Sequence, residues 1–217
     1  MRIIRTTVVL RAVLTAALGA LLAAPAPAAA APTAEDLRPA LLTTADLPQG
    51  FVPLTVATAP AGAVSLGGDF PGCPGLAPVT GKAATAAAAS FAKGFGGPYL
   101  THAVVRLPAG AAVAALDRVA ATVTSCKSFT QDLAGITVRF QLTAAAVPAT
   151  LGHKAVGVRV TGRTDFGISV TAEVIAVRRG DLILWLNDTT IGTAPAGIAR
   201  QLAQAAVNRC AQRVKGC

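Results

Sequence analysis

Residues with catalytic chemistry are scarce in this chain of 217 residues. It has two histidines and one tryptophan, and aromatic residues make up 4% of it. No G-x-S-x-G, H-E-x-x-H, Walker or dinucleotide-binding motif is present, and isolated His102 and His153 leave little material for a catalytic triad. The cysteine and histidine spacings fit no zinc motif. The sequence therefore predicts a protein that is not an enzyme and that has no metal and no cofactor.

The first 30 residues have the three-part pattern of a secretory signal peptide. A cationic segment precedes the apolar run Ala12–Ala24, which leads into a Pro/Ala segment ending in Ala28–Ala30. This pattern predicts export and cleavage, which would leave a single domain over residues 31–217 with no later membrane span. The alternative is an uncleaved anchor, although the run is short for a ~30 Å hydrocarbon core. We expect a secreted protein, released or associated with the cell wall.

Charged residues are also few, at 13%, but basic residues outnumber acidic ones by 19 to 10. Removal of Arg2, Arg5 and Arg11 with the signal peptide lowers the formal net charge from +9 to +6. The remaining bases are spread singly and aromatics are rare, which argues against nucleic acid as a partner. A moderate positive charge instead favours weak, salt-sensitive association with anionic polymers of the cell envelope.

All four cysteines lie in the region that would be exported: Cys73, Cys126, Cys210 and Cys217. An even number in an exported protein predicts two disulfides, for which three pairings are possible. We favour Cys73 with Cys126 and Cys210 with Cys217. The last two can meet if the final helix unwinds at Gly216, whereas a continuous helix would hold them about 10 Å apart.

The apolar pattern predicts an α+β fold. Helical spacing and capping predict helices over 33–42, 109–125 and 194–215. Strands are predicted over 84–91, 100–107, 136–142, 156–160, 170–176 and 182–186, with a long loop over 58–82. The alternative for the first of these segments is that it begins as a helix. We expect a curved antiparallel sheet packed on one face by helices and held by two disulfides.

The last two predicted strands form a hairpin whose register decides which side chains share a face. A three-residue loop, Arg178–Gly180, gathers the aliphatic residues on one face and sets Glu173 opposite Trp185. The other face is then polar, with the side chains of Arg139, Gln141, Arg159, Thr161, Thr171, Glu173, Trp185 and Asn187. Arginine offers a planar donor fork for carboxylate or phosphate, and Trp185 offers a stacking plane, so this face is a candidate ligand-binding site. The alternative is the wet face of an open sheet that binds no ligand.

Four landmarks lie along the chain: the segment Leu41–Phe51 (LLTTADLPQGF), Cys73-Pro74, the predicted helix that ends at Cys126, and the late strands followed by a terminal helix. In these features residues 35–215 resemble the PknH-like extracellular sensor domains, which occur on actinobacterial receptor kinases and on related lipoproteins and secreted proteins. The resemblance implies a disulfide-stabilised α+β domain with a central cleft, which binds an extracellular ligand and has no catalytic activity.

These features predict a secreted, non-catalytic, sensor-like domain that binds an unknown small or polymeric extracellular ligand. The alternative is a structural or interaction protein of the envelope, such as a protease inhibitor. An inhibitor must present a stiff loop pinned by a disulfide, and residues 66–80 around Cys73, with Leu76 as an anchor, form the candidate segment.

Overall fold

The computed structural model describes residues 33–60, 73, 85–133, 135–192 and 197–217. The predicted signal peptide lies outside the described residues. So does most of the predicted loop over 58–82, including the candidate inhibitory segment 66–80 apart from Cys73.

The described residues form an eight-stranded antiparallel sheet with helices packed on it. In chain order the elements are the 3₁₀ helices η1 (Glu35–Ala40) and η2 (Thr44–Asp46), strands β1 (Val52–Pro60), β2 (Thr85–Ala92) and β3 (Tyr99–Arg106), helix α1 (Ala111–Ser125), strands β4 (Ser128–Leu133), β5 (Ile136–Ala145), β6 (Lys154–Thr164), β7 (Ser169–Arg179) and β8 (Leu182–Ile191), and helix α2 (Ile198–Arg213). The strand order across the sheet is β1-β2-β3-β8-β7-β6-β5-β4. The α+β class and the antiparallel sheet are confirmed.

Both edge strands, β1 and β4, are absent from the elements predicted from the sequence. Pro53 and Pro60 lie within β1, and proline is normally a signal against a strand; it is tolerated here because β1 is at the edge of the sheet and has a bulge between Pro53 and Thr55. Only Phe129 and Leu133 are apolar among the six residues of β4, so the sequence shows no clear alternation of apolar and polar residues there.

The helices are divided between the two faces of the sheet, where we expected them on one. Helix α1 packs through Leu116 and Val119 onto one face, here called the α1 face. Helices η1 and α2 pack on the opposite face, the α2 face, with Leu37 and Leu202 in its core. The reason is visible in β8, whose first seven residues are all buried, so the strand must be covered on both sides.

The β7–β8 hairpin turns through two residues, Gly180 and Asp181, because Arg179 pairs with Leu182. The predicted three-residue loop Arg178–Gly180 is wrong. Gly180 has a positive φ of 57°, which suits a tight hairpin turn. The observed pairing of β7 with β8 is shifted from the predicted pairing by an odd number of residues. Relative to β7, every side chain of β8 therefore points to the face opposite to the predicted one.

The two disulfides join Cys73 to Cys126 and Cys210 to Cys217, which is the pairing favoured from the sequence. Helix α2 ends at Arg213, and Gly216 takes a positive φ of 85° that turns the last residues back. The Cα atoms of Cys210 and Cys217 are 5.7 Å apart as a result.

Candidate ligand-binding site

The strand register places most of the predicted polar residues on the α2 face. Arg159 pairs with Glu173, Gln141 pairs with Thr161, and Thr161 pairs with Thr171. Arg139, two residues before Gln141 on β5, lies on the same face. Six of the eight residues predicted to share a face therefore do so.

Trp185 and Asn187 are on the α1 face, so the expectation that all eight residues share a surface is wrong for these two. In the observed register Trp185 pairs with Ala176, and Asn187 pairs with Val174. Trp185 is only 2% exposed and is part of the core beneath α1. Its indole ring therefore contributes to packing and offers no stacking plane to a ligand on the α2 face.

Part of the α2 face remains open beside β5 and β6. Helix α2 packs mainly over β7 and β8, and η1 packs against β2 and β3. An open cavity of about 470 Å³ lies next to the β6–β7 turn, and we call it the β5–β6 cleft. It is lined by Arg139, Gln141, Thr161, Gly162, Arg163, Thr164, Asp165 and Ser169. Three predicted site residues, Arg139, Gln141 and Thr161, thus line one cleft.

Two arginines lie side by side in this cleft. Arg139 and Arg163 are directly paired across β5 and β6, and both are exposed. Among the described residues neither forms an ion pair, and the Arg163 Nε–H donates to the carbonyl of Gly167 at 3.4 Å. Like charges opposite each other on a sheet are destabilising, so the pair favours a bound anion that both guanidinium groups can contact.

Arg163 was missed in the sequence analysis, and so were Asp165 and Ser169. A signal for Arg163 existed, because it continues the alternation of Arg159 and Thr161 along β6. Asp165 lies in the β6–β7 turn, and its place in the cleft depends on the hairpin geometry, which the sequence pattern alone does not reveal.

Arg159 and Glu173, both predicted to bind ligand, do not line the cleft and contact each other on the α2 face. The Glu173 carboxylate is fully buried and accepts a hydrogen bond from Arg159 at 2.9 Å. It also accepts two from Arg200 of α2, at 3.0 and 2.9 Å. The hydrogen bonds and charge of Glu173 raise the pKa of Arg200 above its usual range. Because Glu173 is already bound by two arginines, its main role is to attach α2 to the sheet.

Asp188 completes this attachment at the start of α2. Its Oδ2 accepts hydrogen bonds from the N–H groups of Gly197 and Ala199, each at 3.1 Å, and its Oδ1 accepts one from the N–H of Glu173. A carboxylate at this position satisfies otherwise unpaired N–H groups at a helix N-terminus. Burial raises the pKa of Asp188, although the backbone hydrogen bonds act in the opposite direction. Asp188 was not among the residues predicted from the sequence to form the site.

The described residues offer few other sites. No group of three or more His, Cys, Asp or Glu side chains within them is placed to hold a metal ion. In the same ranges, no helix is both long enough and apolar enough to cross a membrane.

These features define a class: an α+β domain with a wide antiparallel sheet, helices on both faces and two disulfides. The fold is that of the extracellular domain of PknH from Mycobacterium tuberculosis, whose crystal structure matches with a TM-score of 0.64 and 17% sequence identity, over 82% of this chain and 96% of that one. No family model and no curated protein sequence matches the chain. The resemblance predicted from the sequence is confirmed as a likeness of fold. The two disulfides are typical of proteins in an oxidising environment, such as exported proteins.

Proposed function

We propose that this protein is a secreted, non-catalytic, sensor-like domain of the cell envelope that binds an anionic ligand in the β5–β6 cleft. The observation that carries the proposal is the cross-strand pair Arg139 and Arg163, which faces an open polar cavity without an ion-pair partner among the described residues. The likeness in fold to an extracellular domain and the two disulfides support an extracellular setting.

The lining of the cleft limits the chemistry of the ligand. Two guanidinium groups suit a carboxylate or phosphate, while Gln141, Thr161 and Ser169 add neutral donors and acceptors for hydroxyl or amide groups. Asp165 at the rim disfavours a second negative charge near it and favours a hydrogen-bond donor. The volume of about 470 Å³ matches a small metabolite or one unit of an envelope polymer.

Strands β6 and β7, which contribute residues to the cleft, are held to helix α2, and this favours binding over a purely solvated surface. The Glu173 cluster, defined here as Glu173, Arg159, Arg200 and Asp188, attaches α2 to β7 and β8 next to the open strip. A site held by a rigid scaffold loses less conformational entropy when a ligand binds.

Isothermal titration calorimetry with inorganic phosphate, glycerol phosphate and citrate tests the proposal. We expect at least one probe to bind, and the double variant Arg139→Gln/Arg163→Gln to weaken binding by at least about tenfold, because charge-assisted hydrogen bonds are lost. Arg118→Gln, an exposed arginine on α1, is the matched control and should bind as the unmodified protein does. Failure of every probe to bind, or equal binding by the double variant, would contradict the proposal. Trp185 fluorescence is a poor readout, because the indole is buried on the α1 face.

A further inference from the structure

Exposed apolar side chains collect at one end of the sheet. Nine large hydrophobic residues are exposed among the described residues: Val52, Leu54, Val56, Phe95, Val113, Ile136, Phe166, Ile168 and Ile191. Six of them lie at the end where β1 begins, where β8 ends, and where the β2–β3, β4–β5 and β6–β7 turns are located. We call the following six residues the apolar sheet end: Val52, Phe95, Ile136, Phe166, Ile168 and Ile191.

Two phenylalanines protrude furthest from this end. Phe95, in the β2–β3 turn, is 99% exposed, and Phe166, in the β6–β7 turn, is 79% exposed. The backbone around Phe95 is held firmly, since the N–H of Ile191 donates to the carbonyl of Gly96 at 2.8 Å and the Tyr99 hydroxyl donates to the carbonyl of Phe95. An aromatic ring on a turn braced in this way cannot fold back into the core, so it marks an interaction surface.

The β6–β7 turn is braced in the same manner. The N–H of Thr164 donates to the carbonyl of Ile168, and the N–H of Gly167 donates to the carbonyl of Thr164, both at 2.9 Å. The end of β8 is also joined to this hairpin, because the N–H of Gly192 donates to the carbonyl of Ser169 at 2.8 Å. Both phenylalanine turns are therefore fixed to the same strand, β8.

The opposite end of the sheet has a different character. Its described turns and strand ends include six charged residues: Arg106, Lys154, Arg178, Arg179, Asp181 and Lys215. Val113, near the start of α1, is the one member of the exposed apolar set that lies toward this end. Among the described residues, the two ends therefore differ in the number of exposed large apolar side chains, which a general excess of surface hydrophobic residues would not produce.

Cations flank the apolar sheet end. Lys93 directly follows β2, and Arg163 lies over the β6–β7 turn through its hydrogen bond to Gly167, one residue from Phe166. Asp165 in the same turn and Asp132 near the end of β4 are acidic, so the three cations Lys93, Arg139 and Arg163 exceed them by one. Apolar and aromatic tips with neighbouring Lys and Arg side chains are typical of proteins that bind the interface of a bilayer containing anionic lipids.

The spacing of the two phenylalanines decides between a bilayer and a protein partner. The β2–β3 and β6–β7 turns are three strand positions apart, which corresponds to about 14 Å along the sheet. A protein partner would need two separate pockets at that distance, whereas a fluid bilayer accepts separate tips without any pocket.

We propose that the apolar sheet end docks on the surface of a bilayer that contains anionic phospholipid. Phe95 and Phe166 insert at the boundary between headgroups and acyl chains, and Lys93, Arg139 and Arg163 face the phosphates. The β5–β6 cleft then opens beside the lipid surface, because Asp165 of its rim precedes Phe166. This inference goes beyond the proposed function and requires no ligand in the cleft.

Vesicle flotation tests the inference. The protein for this assay is purified after the expressing cell has exported it. We expect binding to phosphatidylcholine vesicles that contain phosphatidylglycerol, and at least about tenfold weaker binding to phosphatidylcholine alone. Phe95→Ser/Phe166→Ser should lose at least about tenfold in affinity for the anionic vesicles, because two inserted aromatic rings are removed. Val113→Ser, the matched exposed position on α1, should bind as the unmodified protein does.

Two further measurements on the double variant make the flotation result decisive. Both phenylalanines are exposed, so the double variant should keep the near-ultraviolet circular dichroism of the folded protein. It should also keep its calorimetric response to soluble probes of the cleft, which distinguishes failure here from failure of the proposed function. Absence of vesicle binding, or equal binding by the double variant, would overturn the inference. So would a concentration-dependent dimer that the double variant abolishes without any lipid binding, because the partner would then be a second copy.

Discussion

The stability of this protein should fall steeply in mild acid because of one buried histidine. His102 lies on β3 and is fully buried in the core of the α2 face, where its Nδ1 accepts a hydrogen bond from the N–H of Leu42 at 3.0 Å. Burial, together with the nearby charge of Arg209, lowers the pKa of His102 to about 3, and Asp46 opposes this shift. The imidazole is therefore neutral in the folded protein at every pH near neutrality.

The size of the effect follows from proton linkage. Between about pH 6.5 and the folded-state pKa of about 3, the unfolded chain binds a proton at His102 that the folded protein does not bind. The stabilisation is thus fully present above the unfolded pKa and is lost as the pH falls toward the folded pKa. One such group lowers the free energy of unfolding by about 0.4 kcal/mol at pH 6.5 and about 2.7 kcal/mol at about pH 4.5. The difference, about 2.3 kcal/mol, corresponds to a fall in Tm of roughly 5–9 °C for a domain of this size.

Urea unfolding followed by circular dichroism at pH 6.5 and about pH 4.5 measures this difference. His102→Gln keeps an acceptor for the Leu42 N–H but has no titratable ring, so its loss of stability should be smaller by about 2 kcal/mol. The comparison with a variant removes the contribution of Asp188, whose raised pKa acts in the opposite direction. His153→Gln, an exposed control, should keep the full dependence. Equal pH dependence in His102→Gln and the unmodified protein would refute the reasoning.

Two further predictions concern the attachment of the helices and the loops. Glu173→Gln should lower the free energy of unfolding by about 3 kcal/mol, because it removes the buried partner of two arginines; a loss below about 1 kcal/mol in urea unfolding would contradict this role. Replacing both members of the Cys73–Cys126 bridge by serine should destabilise by about 4 kcal/mol, against about 2.4 kcal/mol for the Cys210–Cys217 bridge, since the first closes the longer loop in the chain-entropy model. Thermal melts of the two serine pairs give the order, and the reverse order would contradict it.

The sequence predicted the elements whose signal is local. Regular alternation predicted β5 and β6, and helical spacing predicted α1 and α2, because each of these elements has one buried and one exposed side. The Cys210–Cys217 pairing also followed from local geometry at Gly216. Boundaries differed by a few residues, as expected where helix and strand ends depend on capping.

The register of the β7–β8 hairpin could not be predicted in the same way. Leu182, Leu184 and Leu186 lie on the α2 face, while Ile183 and Trp185 lie on the α1 face, and all five are buried. A strand buried on both faces reads as a continuous apolar run, so shifting it by one residue leaves the hydrophobic pattern nearly unchanged. The assignment of Trp185 to the polar face failed for this reason.

The Glu173 cluster was hidden from the sequence for a different reason. A buried acidic residue in a strand has the same one-letter pattern as an exposed one, and only its partners distinguish the two. For Glu173 these partners are Arg159, 14 residues away, and Arg200, 27 residues away on a helix. Their contact depends on the strand register and on the position of α2, both of which are tertiary features.

Incomplete coverage of one face of the sheet explains why the cleft exists where it does. Eight strands at about 4.8 Å spacing span about 34 Å, whereas a single helix is about 10 Å wide. Helix α2 therefore covers β7 and β8, whose residues are buried almost without interruption, and leaves the strip over β5 and β6 open. Along β5, Val138, Phe140 and Leu142 are buried while Arg139 and Gln141 between them are exposed. The burial pattern changes from continuous in β7 and β8 to alternating in β5, and this change marks the edge of the area that α2 covers. The exposed arginines lie just beyond that edge, because no helix of the described chain packs over them on the α2 face.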